Sequence, residues 1–149
     1  MDYLVRERSQ VLQKKKILIL DSDILFYEDF SLASFLENTA SRGNASCVFY
    51  NVSDQEVPKR GIIEVDKNMR VKNYLEKPSP RATSSRKACP IFYAVTANLQ
   101  ELLHRFLSEM DKKGADRDST EAPGTFWGWL VTQAGITVSA QGIKGCFDA

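Results

Sequence analysis

No glycine occurs before Gly43. Glycine-rich loops bring backbone amides up to a triphosphate or a dinucleotide, and the chain has neither a Walker loop nor a dinucleotide fingerprint. G-x-S-x-G and H-E-x-x-H are missing too, which removes the common hydrolase signatures. The single histidine, His104, has no Ser or Cys partner pattern and reads as a surface residue. Three cysteines, Cys47, Cys89 and Cys146, stand far apart with no C-x-x-C, so neither a zinc site nor a disulfide framework is expected, and a reducing, cytoplasmic setting is. No apolar run is long enough to cross a bilayer, and the charged N-terminus lacks a signal-peptide core, so no membrane partner is expected. Lys and Arg total 20 against 19 Asp and Glu, a net charge of +1. No excess of either sign points to nucleic acid. The basic clusters at Lys14–Lys16 and Arg81–Lys87 carry no interleaved aromatics and read as solvated faces. The N-x-S triplets at Asn44 and Asn51 read as chance.

What is present fits one ordinary folded domain over residues 1–149, with 43% apolar and 26% charged residues. Such a length buries roughly two-thirds of the surface its unfolded chain exposes. Residues 2–13 read as a short polar helix. "ILIL" reads as a buried strand running into Asp21-Ser22-Asp23. The stretch from Ser31 to Gly43 reads as a helix, with Ser31 as N-cap and Gly43 as its C′ stop. "ASCVFYNVS" reads as a strand, and "GIIEVD" with "RVKNYLEK" as a β-hairpin. A Pro/Ser/Thr loop leads to "ACPIFYAV", taken as one strand. The clearest helix follows: Leu99, Leu102, Leu103, Phe106, Leu107 and Met110 form one stripe, and Gly114 ends it. "TFWGWLVTQAG" reads as a short helix, with Phe126, Trp127 and Trp129 as core anchors, and "ITVSAQ" as a last strand. Strands alternating with helices predict an α/β chain with a layered, mostly parallel (mixed) sheet and the hairpin as an insertion.

Three places can carry chemistry. Asp21 and Asp23 end a strand, where open α/β sheets bind ligands, and an Asp-x-Asp pair offers hard oxygen ligands to Mg²⁺ or Mn²⁺. Taken alone, the pair is better explained by a solvated strand end. Asp148, in "GCFDA", becomes a second ligand only if the sheet carries it to Asp23. Glu76-Lys77-Pro78 closes the hairpin: Glu76 can accept from sugar hydroxyls and Lys77 can hold a phosphate as a point charge. Taken alone, it is a hairpin-end ion pair.

Together these stretches resemble the sugar-phosphate nucleotidyltransferases of the glucose-1-phosphate thymidylyltransferase type. Ser22-Asp23-Ile24-Leu25-Phe26-Tyr27 is similar to the family's Gly-Asp-Ile-Leu-Phe-Tyr element. Gly61-Ile62-Ile63-Glu64 is similar to its Gly-Val-Val-Glu, and "RVKNYLEKP" carries its Glu-Lys-Pro. "EAPGTFWGWL" and "GCFDA" resemble its Ala-Pro-Gly-x-Phe-x-x-Trp-Leu and Gly-x-Cys-Tyr-Asp segments. The resemblance implies a Rossmann-like nucleotide-diphospho-sugar transferase fold. It implies Asp23 and Asp148 on Mg²⁺, Gly61 admitting the sugar to the backbone, Glu76 on sugar hydroxyls and Lys77 on the sugar's phosphate, with sugar phosphate and nucleotide as ligands.

The departures are as specific. The family's Gly-x-Gly-Thr-Arg-Leu loop is absent, Ser22 replaces a glycine, and Phe92 stands for a tyrosine with Cys89-Pro90 before it. The chain is therefore expected to be an N-terminally truncated or diverged member with little turnover alone, and no residue is assigned a catalytic role. An uncovered sheet edge would favour self-association or pairing with another chain. Two alternatives stay open: an Asp-x-Asp glycosyltransferase-like protein, and a non-catalytic sugar-phosphate-binding or regulatory module.

Overall fold

The computed structural model describes residues 16–27, 30–116 and 123–148. The predicted helix over 2–13 and most of the Lys14–Lys16 cluster lie outside them. The elements are β1 (Ile17–Leu20), β2 (Ile24–Phe26), α1 (Leu32–Arg42), β3 (Ala45–Asn51), β4 (Gly61–Val65), β5 (Val71–Glu76), β6 (Lys87–Ala88), β7 (Phe92–Val95), α2 (Leu99–Lys112), α3 (Pro123–Thr132), β8 (Val138–Gly142) and β9 (Cys146–Asp148). A short 3₁₀ turn, Val57–Lys59, precedes β4.

Strand alternation sorts the core. Val48, Phe92 and Ala94 face Phe35 of α1. Their neighbours Cys47, Phe49, Tyr93 and Val95 face the other way, onto the α2 stripe and the Phe126–Leu130 segment of α3. Trp127 is fully buried, and its ring stacks on Tyr93 with centroids 3.7 Å apart. Each such burial contributes about 1.5–3 kcal/mol. The predicted stop of α2 holds, Gly114 turning left-handed at φ 65; at the other end the Asn98 side chain accepts from the Glu101 N–H at 3.2 Å. In α1 the Ser31 hydroxyl accepts from the Ser34 N–H.

Gly43 does not act as a left-handed stop, because its φ of 170 is extended backbone. It is a glycine because a Cβ there would stand 2.7 Å from the Thr137 carbonyl oxygen. That same oxygen receives the N–H groups of Asn44 and Ala45, where the chain enters β3 beside β8.

The sheet corrects the mostly parallel expectation. Its order is β1-β7-β3-β6-β4-β5, with β8 also paired to β3. Among the described residues, β3–β8 is the one parallel pairing. β1 and β3 both run antiparallel to β7, so β1, β3 and β8 share a direction and β7 opposes them. The cause is the path of the chain. It leaves β3 at the Tyr50–Asn51 end, makes the β4–β5 hairpin, and returns through β6 beside that same end. With no crossover helix to carry it back, β7 must start there and run the other way. "ACPIFYAV" is accordingly two strands, broken at Cys89-Pro90-Ile91.

A separate ribbon was not anticipated. β2 pairs antiparallel with β9, setting Ile24 opposite Asp148 and Phe26 opposite Cys146. The hairpin turn is held by Asp66, whose Oδ1 accepts from the N–H groups of Asn68 at 2.8 Å and Arg70 at 3.0 Å. The Arg70 amide is the main reason that carboxyl sits below its ordinary range.

Candidate functional site

Three short backbone links bring distant segments to one place. Gly61 is paired with Glu76 across the β4–β5 hairpin. The Cys89 N–H donates to the Gly61 carbonyl at 2.8 Å, and the Asp21 N–H donates to the Ile91 carbonyl at 2.9 Å. The Cys89-Pro90-Ile91 break therefore forms a floor, with the hairpin base on one side and the acidic end of β1 on the other. Above it opens a cavity of about 570 Å³.

Asp21, Asp23, Gly61, Glu76 and Lys77 all line this cavity. Asp148 is brought to its edge by the β2–β9 register, which sets its backbone opposite Ile24, next to Asp23. Of Asp148 the structure describes the backbone alone. Asp21 and Asp23 are exposed, and among the described residues no cation pairs with either. No group of three or more His, Cys, Asp or Glu is gathered among the described residues. A donor set of one or two carboxylate oxygens suits Mg²⁺, which keeps several waters and takes its other ligands from substrate phosphates.

Lys77 has a left-handed backbone, φ 45, and its N–H donates to the Arg60 carbonyl at 3.1 Å. A non-glycine residue there costs about 1–2 kcal/mol, and such strain gathers at functional sites. Its Nζ lies 4.0 Å from Glu76 Oε1, with the lysine side chain 64% exposed, so the pair adds little to stability. The ammonium is available to an anion in the cavity.

Sequence reasoning missed two parts of the wall. Lys59, exposed at the end of the 3₁₀ turn, joins Arg60 and Lys77 as a cation in the lining. Tyr74 lines the cavity and donates to Glu76 Oε2 at 2.6 Å. Burial, then the Glu76 carboxylate that it serves, pushes the Tyr74 phenol well above its ordinary range. The signal was available: residues two apart on a strand share a face, so Tyr74 had to stand beside Glu76. Cys89 also lines the cavity, but burial drives its thiol upward, which leaves it a poor nucleophile at neutral pH. His104 is exposed on α2 and does not line the cavity.

The same fold occurs in a UTP-bound UGPase from Acinetobacter baumannii: TM-score 0.68, 19% identity, over 97% of this chain and 49% of that one. It also occurs in a putative glucose-1-phosphate thymidylyltransferase from Bacillus anthracis in complex with a sucrose: TM-score 0.67, 13% identity, over 99% of this chain and 54% of that one. The architecture is thus the Rossmann-like one of the nucleotidyltransferases. The chain spans about half the length of these structures. No curated protein sequence matches it. The nucleotidyl transferase family matches residues 4–120, and the chain belongs to that family. This is the family that the motifs around Asp23, Gly61 and Glu76 led us to expect. Among the described residues no helix is long and apolar enough to cross a membrane.

Proposed function

We propose that this chain is the sugar-phosphate-binding portion of a sugar-phosphate nucleotidyltransferase. The observation that supports the reading best is the convergence of Asp23, Gly61, Glu76 and Lys77 on one cavity, from segments far apart in sequence. In the reaction, an oxygen of a sugar 1-phosphate attacks the α-phosphorus of a nucleoside triphosphate. The bond to the β-phosphate oxygen breaks, and pyrophosphate leaves with that electron pair. Such chemistry depends on positioning and charge neutralisation rather than on a covalent enzyme intermediate.

Each residue then has a defined task. Glu76 accepts from sugar hydroxyls, and Lys77 neutralises the sugar's phosphate. Gly61 lets the sugar approach the backbone. Asp23, with Asp148, would hold Mg²⁺, which when bound supplies positive charge against the phosphate oxygens. A soluble protein working on sugar phosphate and nucleotide in the cytoplasm fits this reading.

The eight glycines include no Gly-x-Gly pair, so the sequence offers no glycine-rich loop of the kind that cradles a triphosphate. That favours a second reading, a sugar-phosphate-binding module that does not turn over by itself. Titration calorimetry with the 1-phosphates of glucose, galactose and mannose, with Mg²⁺, alongside pyrophosphate release with the four common triphosphates, tests both. Binding of one sugar phosphate without turnover is the expected result. Rapid turnover would discard the module reading, and binding of none would discard the sugar-phosphate reading.

A further inference from the structure

We propose that Tyr74 is a positioning residue that sets how Glu76 meets its ligand, and that Gly61 and Gly124 are glycines because of the Tyr74–Glu76 pair. The inference rests on the sugar-phosphate reading of the cavity. Three of the eight glycines stand against this one side chain. A Cβ on Gly61 would collide with the Tyr74 hydroxyl, and one on Gly128 would reach the ring at 3.4 Å. A Cβ on Gly124 would collide with Glu76 Oε2 and come within 3.2 Å of the Tyr74 hydroxyl. These positions come from two different segments: the first residue of β4 and two positions one turn apart on α3.

The consequence is a clamp. Tyr74 spends its proton on Glu76 Oε2. That oxygen lies against the first turn of α3, whose positive end favours a carboxylate. Glu76 Oε2 is thereby committed to the protein. Oε1 is left on the side of Lys77 Nζ, 4.0 Å away. An exposed glutamate has three free side-chain torsions, and a hydroxyl it binds must hold them still. Tyr74, a half-buried ring with its phenol already engaged, holds them before the ligand arrives. Gly61 also changes meaning: the space it leaves is taken first by the tyrosine hydroxyl.

The clamp acts on hydroxyl recognition and not on phosphate recognition, which gives the test its discriminating readout. Titration calorimetry measures wild type, E76Q, Y74F and G124A against the sugar 1-phosphate that wild type binds and, separately, against inorganic phosphate, with melting temperatures in parallel. Y74F and G124A are expected to weaken sugar-phosphate binding 5- to 20-fold while inorganic phosphate binding changes less than 2-fold. G124A should do this without lowering the melting temperature, since alanine is the better helix residue. Y74F that matches wild type while E76Q loses binding overturns the clamp and leaves the sugar-phosphate reading standing. Equal losses for sugar phosphate and inorganic phosphate also overturn it, by showing a merely structural role. Failure of wild type to bind any of the three sugar phosphates overturns the reading and the clamp with it.

Discussion

Lys77 offers an unusual experiment, because its two properties pull in opposite directions. Its left-handed backbone at φ 45 costs about 1–2 kcal/mol relative to a residue without a Cβ. Replacing it with glycine removes that strain but adds about 0.5–1 kcal/mol of unfolded-chain entropy. The lost ion pair to Glu76, long at 4.0 Å and exposed, is close to negligible. The N–H to the Arg60 carbonyl survives in glycine. The balance is a stabilisation of about 0–1.5 kcal/mol, or about 0–6 °C in melting temperature for a chain of this size. The ammonium disappears, so inorganic phosphate and sugar phosphate should both bind at least 10-fold more weakly. Urea unfolding and calorimetric melting give the first quantity, and phosphate titration the second. A K77G protein that is destabilised by more than about 1 kcal/mol refutes the strain argument. One that keeps wild-type phosphate affinity refutes the role of the side chain.

Further outcomes follow from the same contacts. G43A should cost about 1–3 kcal/mol, because its Cβ meets the Thr137 carbonyl and both belong to paired backbone; an unchanged urea midpoint would refute that. N98A should cost about 1 kcal/mol through the lost cap on α2, read by the same unfolding curve. Stability should also fall in alkali. Cys89, Tyr93 and Tyr74 are all raised by burial, so each favours folding fully below its unfolded value, near 9.0 for the thiol and 10.0 for the phenols, and loses that contribution as pH rises toward the folded value. Urea midpoints measured from pH 8 upward should hold to about 9 and then decline; a flat profile through pH 11 contradicts the burial of these groups.

The elements that were legible were those whose causes are local. The Leu99–Met110 stripe, its Gly114 stop and the Ser31 cap act within a few residues, so periodicity and capping chemistry expose them. Glu76 and Lys77 were legible for another reason: Pro78 and the hairpin mark the spot. What stayed hidden depends on where the chain returns. The direction of β7 follows from its re-entry beside the end of β3, which no window of sequence contains. The β2–β9 ribbon joins Ile24 to Asp148 through strands of three residues, too short to carry a period. Gly43 was placed correctly at a helix end but for a different cause, a carbonyl from Thr137. Tyr74 was visible as an alternating strand residue, yet the glycines that surround it come from two distant segments, β4 and α3, and announce nothing until the chain is folded.

The central claim is that one cavity holds the sugar's phosphate beside a divalent cation on Asp23 and Asp148. Mn²⁺, a paramagnetic substitute for Mg²⁺, tests it directly by nuclear magnetic resonance. With wild type and the bound sugar 1-phosphate, substoichiometric Mn²⁺ should broaden the ³¹P resonance and the amide signals of residues 22–25 and 146–148. D23N and D148N should each abolish both effects while melting as wild type does. Broadening centred elsewhere on the chain, or a ³¹P resonance that stays sharp while the sugar phosphate is bound, would contradict the account.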